Sequence, residues 1–243
     1  MSAASLDGER LTDLIMRLLL DQELRERLAG EGAAAVADGA GELECLATID
    51  LDELDAAARR FRSTIWRLGA HGTLAETFPR SVRMLGLADA ELLDGFLASP
   101  RFAAFRLVPY AGPGVSVEEA FAAFLLDRAG ERVVRETVAH ELMIALFAAL
   151  SCEQPLSFVI GGDVGAIVET GRGHAALRRY APSALAAWGE NAPGGEAVPY
   201  AYFATPAGVT RGAVSERVAA AFAEEPTDET EAARRALARR GLW

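Results

Sequence analysis

The chain has 243 residues, 51% of them hydrophobic, and a formal net charge of −11. That is enough apolar material for a real core in one large domain or two small ones, and the acidic balance argues against non-specific nucleic-acid binding, which needs a basic field. No run of about 18 uninterrupted apolar residues marks a transmembrane helix, and MSAASLDGERLTD lacks the basic segment and apolar core of a secretory signal, so the chain is expected to be cytoplasmic.

Residues 8 to 62 read as helices. Leu11, Leu14, Ile15, Leu18 and Leu19 recur at helical spacing, and Asp21 opens a second helix that Gly30 and Gly32 stop. A short helical turn covers Glu42 to Ala47. Asp50 caps DLDELDAAARRFRSTIWRL, acidic at its start and basic at its end, in keeping with the helix dipole. Thr73 begins TLAETFPRSVRMLG, which Pro79 kinks or breaks. Asp89 starts a helix that Pro100 ends. Ser116 and Glu119 form a capping box on VEEAFAAFLLD. Residues 131 to 150 give the most apolar helix, placed at the centre of a helical bundle.

The texture then changes. SFVI, the turn GGD and VGAIVET read as a β-hairpin. ALRRYAPSALAAWGE reads as a short helix or loop, NAPGGEAVP as a connector, and AYFA as a strand. Ser215 starts one last short helix and Thr227 caps another, an arrangement like half of a helix-turn-helix or winged helix. The fold class is therefore α+β, mainly α: a helical bundle followed by a small β-hairpin, winged-helix-like C-terminal domain. The expected divisions are an acidic helical module over 1–55, a helical domain over 56–150 and an α+β domain over 151–243.

No catalytic constellation assembles. His140-Glu141 begins like HExxH, but Ile144 stands where the second imidazole is needed. His71, His140 and His174 have no metal-ligand spacing, so no metal site and no cofactor are expected in this chain. IGGDVG lacks the pattern of a phosphate loop. Cys152 has no nearby His, and Cys45 and Cys152 are expected to be free thiols. The absence of a catalytic set favours a binding role.

Charge is sorted along the sequence. The first 55 residues hold 14 acids against 4 arginines. RRFRSTIWRLGAHGTLAETFPRSVRMLG follows, with Arg59, Arg60, Arg62, Arg67, Arg80 and Arg83 against Glu76 alone. Lysine is absent. The dipole accounts for Arg59 to Arg67 in part. A second reading makes Arg59, Arg60, Arg62, Arg67 and Arg83 a partner-binding set for a carboxylate-rich surface or acidic peptide.

RRFRSTIW, then TFPRSVRMLG, a helix ending at a proline, and the capped helix EEAFAAFLLD resemble the helical half of proteins encoded beside multinuclear non-haem iron-dependent oxidases. The strand-plus-helices C-terminus is similar to the precursor-recognition element of ribosomal peptide natural-product pathways. LLLDQELRERLAGEG with ECLATIDLDEL resembles the small helical accessory domain of extradiol dioxygenases. The resemblance implies a non-catalytic partner subunit that binds an iron-dependent oxidase and presents its ribosomally made precursor peptide. The iron would belong to the partner. The peptide would add a strand beside Tyr200 to Ala204 or beside the hairpin Phe158 to Val168. Its contacts would be Phe158, Ile160, Ile167, Tyr200, Tyr202 and Phe203. The alternative function is a helix-turn-helix transcriptional regulator; a stand-alone enzyme is a third reading.

Overall fold

The computed structural model describes residues 8–69, 72–106, 116–152, 167–191, 195–225 and 227–243. The N-terminal module consists of α1 (Gly8–Leu20), α2 (Gln22–Glu31) and α3 (Ala40–Leu46). Asp21 caps α2 by accepting from the Leu24 N–H. Leu14, Leu18, Leu28, Val36 and Leu46 form this module's own core. Helix α4 (Leu51–Trp66) runs from the Asp50 cap, which accepts from the N–H groups of Asp52 and Glu53. Here the capping residues read from the sequence do act as caps.

Pro79 divides the next helical stretch into α5 (Leu74–Thr77) and α6 (Pro79–Leu85). Proline has no N–H to give to an internal helix bond but fits the first turn. Gly86 then ends α6 at φ 65°, in the left-handed region. Helices α7 (Asp89–Leu97), α8 (Pro100–Arg106) and α9 (Val117–Leu126) complete the bundle. Phe96 contacts Phe102, Phe121 and Phe124 with ring centroids 5.1–5.5 Å apart. Helix α9 buries Val117, Ala120, Phe121, Ala122, Phe124 and Leu125, so it lies at the heart of the helical half.

That place was expected for α10 (Arg132–Ser151), which sits instead at the junction with a sheet. Val138 of α10 joins the helical core, while Met143, Leu146, Phe147 and Leu150 join the core beneath the sheet. Both sides of α10 are covered by different layers, which explains why its sequence is apolar nearly all round.

The sheet is an antiparallel meander, β1 (Ile167–Thr170), β2 (Gly173–Tyr180), β3 (Val198–Thr205) and β4 (Gly208–Ala213), in that spatial order. Helix α11 (Pro182–Ala187) is inserted between β2 and β3. Helices α12 (Glu216–Ala219) and α13 (Asp228–Ala238) follow β4. Val198, Tyr200, Tyr202 and Ala204 face α10 and α11, and Ala201 and Phe203 face the last helices. The result is three layers: α10 with α11, the sheet, and α12 with α13.

One expectation changes here, and two features are added. ALRRY is the second half of β2 rather than helix or loop, and the helix begins only at Pro182. The observed hairpin turn is Gly171–Arg172, and GVTRGA, unassigned in the sequence, is β4. The expected hairpin SFVI-GGD and the residues Phe158 and Ile160 lie outside the described residues.

Candidate functional site

The strand expected to be an edge is a central one. Tyr200 pairs with Arg178 of β2 and Ala213 of β4, and Tyr202 with Ala176 and Arg211. No strand can add beside Tyr200 to Ala204, because both flanks already carry a ladder. The side chains also fail to share one surface. Tyr200 and Tyr202 are buried toward α10, and Phe203 is buried toward α13. Ile167 lies on β1, at one edge of the sheet, half-buried.

The opposite edge is β4. No described strand pairs with its outer side, and Thr210, Arg211 and Ala213 are exposed. Backbone groups along such an edge are free to pair with another extended chain.

The arginine set divides in two. Arg62 is an internal tie: it pairs with Asp94 of α7 and donates to the Leu20 carbonyl. Arg59, Arg60, Arg67 and Arg83 are exposed and form no ion pair among the described residues. Arg60 on α4 and Arg67, the residue that caps its C-terminus, are seven residues apart, on the side away from buried Ala58 and Ile65. Leu68 and Met84, next in sequence to Arg67 and Arg83, are exposed apolar residues. Arginine with methionine is a combination enriched at protein interfaces.

The pair His140-Glu141, which fails as a metal motif, heads a polar cluster at the junction whose other members the sequence did not flag. His140 and Glu141 are fully buried neighbours on α10 and reach opposite layers. Glu141 accepts from the Arg80 N–H (2.9 Å), the Ser81 N–H (3.1 Å) and the Ser81 hydroxyl (2.6 Å). It thus caps α6 from another helix, since Phe78 has no polar side chain to do so. Burial raises the Glu141 carboxyl above its usual range, and these donors oppose that shift.

His140 turns to the sheet. Its Nδ1 is 2.6 Å from the Tyr202 hydroxyl, which is 2.8 Å from the Tyr180 hydroxyl. The imidazole stacks on Trp188 at 4.0 Å, with planes 9° apart. The Trp188 indole donates to Thr137 and the Tyr200 hydroxyl donates to Glu190. Burial, then the charges of Arg211 and Arg80, push the imidazole pKa down to about 3. Burial likewise pushes Tyr180 up to about 12. His140 is a buried core residue, and its Nε2 has no hydrogen-bond partner among the described residues. The spacing 140 to 202 carries no local signal; only the polar residues within an apolar helix hinted at it.

Among the described residues, no group of three His, Cys, Asp or Glu side chains is arranged to hold a metal ion. No helix among them is long and apolar enough to cross a membrane. Cys45 is half-buried and Cys152 exposed, and each is free. Helix α13 turns Arg234 inward, onto the Ala221 and Ala223 carbonyls. Outward it mixes Arg235, Arg239 and Arg240 with Asp228, Glu229 and Glu231, which is not the basic face of a DNA-reading helix. No protein-family model, curated protein or solved structure matches the chain.

Proposed function

We propose that this chain is a cytoplasmic, non-catalytic partner protein that presents an extended peptide to an iron-dependent, peptide-modifying oxidase. The observation that carries the reading is the outer edge of β4, which pairs with no strand among the described residues, on a sheet packed between two helical layers. A ribosomally made precursor peptide would dock there as a further strand. Backbone hydrogen bonds would supply affinity and alternate side chains would set register. This replaces the interior strand Tyr200 to Ala204 with its neighbour and leaves the mode of binding unchanged.

The outward arginines Arg59, Arg60, Arg67 and Arg83 support the second half of the proposal. They are free to meet carboxylates on the oxidase with paired hydrogen bonds, a geometry that lysine does not reproduce. Arg62 has no part in this contact. The iron belongs to the oxidase, and the resemblance of the helical half is what points to that class of enzyme.

The test has two stages. The tagged chain is isolated from its native lysate, and co-eluting proteins are identified and assayed for iron. Amide hydrogen exchange across Gly208 to Ala213 is then followed with and without the precursor peptide. Slower exchange on β4 and an iron-containing partner are expected. Stoichiometric iron in the isolated chain, or β4 amides indifferent to the peptide, would sink the reading.

A further inference from the structure

A cavity with a volume of about 710 Å³ lies at one end of the sheet. Both hairpin turns border it, Gly171–Arg172 and Pro206–Ala207, together with the last turn of α10. Small-molecule sites typically span about 300–1,000 Å³. Leu150, Ala204 and Ala207 supply apolar wall. Gly173 has φ 141°, and a side chain there would collide with the Ala204 carbonyl, so the β2–β3 wall admits only glycine at this point.

The charge of the lining sets this cavity apart. The chain holds 35 acidic residues against 24 arginines. Two other cavities carry carboxylates: one, of 510 Å³, includes Asp21, Glu23 and Asp94 beside Arg17 and Arg62, and the other, of 330 Å³, includes Glu26 and Asp55 beside Arg25, Arg59 and Arg62. No Asp or Glu is among the lining residues described for the sheet-end cavity, where the ionisable groups are Arg172 and His174. Arg172 is exposed, and its guanidinium forms no ion pair among the described residues. His174 is half-buried. Glu169 stands opposite His174 across the β1–β2 ladder but does not line the cavity. The hydroxyls of Ser151 and Thr205 already donate to Ala148 and Gly208 carbonyls, at 2.8 and 3.2 Å. The unengaged side-chain donors are therefore those of Arg172 and His174.

We propose that this cavity binds a single carboxylate borne on an apolar body. Arg172 takes the carboxylate with two parallel N–H bonds, His174 adds a donor, and the wall of Leu150, Ala204 and Ala207 takes the body. The ligand is either a free small acid or the carboxyl end of an extended peptide docked on β4, whose first residue, Gly208, follows the Pro206–Ala207 turn. Only the peptide source rests on the proposed function; the carboxylate preference does not.

The full chain is titrated by calorimetry with 3-phenylpropionate and with 3-phenylpropionamide, which differ only in the group that Arg172 would hold. The acid is expected to bind at least ~10-fold tighter than the amide, the size of effect a charge-assisted pair gives. Arg172→Gln should abolish that preference while leaving thermal unfolding unchanged. Ala207→Trp should fill the cavity and weaken the acid. Equal affinity for acid and amide, no binding of either, or an unaltered preference in Arg172→Gln overturns the proposal. A short threonine-valine peptide ending in phenylalanine, as free acid and as amide, distinguishes the sources. Tighter binding of the peptide acid than of 3-phenylpropionate, with protection of β4 amides, upholds the site and assigns it to a peptide. Binding no tighter upholds the site for a free acid. Protection of β4 by the precursor peptide without any carboxylate preference overturns this inference and leaves the proposed function standing.

Discussion

Strands β3 and β4 lie side by side and have opposite chemistry. VPYAYFAT of β3 is buried from Val198 to Ala204, with helices over both faces and a strand on each flank. GVTRGA of β4 has no buried residue and no described partner on its outer side. A strand without a charge or an alternating polar residue has no face to offer water and goes to the interior of a sheet. A strand with Thr and Arg at its centre and Gly at intervals is tolerated at the rim. The aromatic strand looked like a binding surface because its residues suit one, but those residues are the core that makes the rim rigid.

The contrast breaks first at Tyr202. Tyr202→Ala removes a fully buried ring and the hydroxyl between His140 and Tyr180. A loss of about 4–5 kcal/mol is expected in denaturant unfolding of the full chain. The matching truncation on β4, Thr210→Ala, should stay within about 0.5 kcal/mol. Similar losses at the two sites would erase the distinction between core strand and rim strand.

Acid attacks the core side selectively. The native imidazole of His140 titrates at about 3, against an ordinary 6.5. Between those values the unfolded chain binds a proton that the native chain does not, so acidification favours unfolding. Stability should fall as pH drops from 6.5 toward 3, by up to about 4 kcal/mol from this group. Glu141 acts in the opposite sense: its raised pKa makes stability fall as pH rises from about 4.5 to the native value. Comparing wild type with His140→Gln over this range isolates the histidine, and parallel curves would remove it from the account.

Glu141→Ala should cost about 3 kcal/mol, because it leaves two N–H groups and a hydroxyl of α6 buried without an acceptor. The smallest effect on stability is expected at the surface. Arg60→Ala and Arg67→Ala should each change it by less than about 0.5 kcal/mol, while Arg62→Ala should cost more through loss of Asp94 and of buried packing. If the oxidase is the partner, its affinity should follow the reverse order, falling for Arg60 and Arg67 and holding for Arg62. Binding measured on purified components reads that difference.

Much of the helical half was legible because caps are local. Asp21, Asp50, Thr73, Ser116 with Glu119, and Thr227 each hold an N–H within three residues, so the sequence alone reveals them. Pro79 was legible for the same reason. The sheet was less so. ALRRY is not strongly strand-like, and it is made a strand by Tyr180 and Ala176 packing against α10. β4 has two glycines and a short apolar content, so nothing in its pattern outweighs a loop. The arginine spacing was visible, but the partner of Arg62 is 32 residues away in Asp94, and no periodicity predicts it. The junction was hidden most thoroughly: Glu141 reaches back 60 residues to Ser81, and His140 forward 62 to Tyr202.

That junction constrains how the chain can vary. His140 and Glu141 are consecutive, so their side chains leave α10 about 100° apart, one toward each layer. A single residue inserted on either side of the pair would swing one half of the helix by the same angle and misdirect its packing face. The gene should therefore accept conservative exchanges along this helix but no change in its length. Among homologues of this chain, Thr137 to Phe147 should form a block without insertions or deletions.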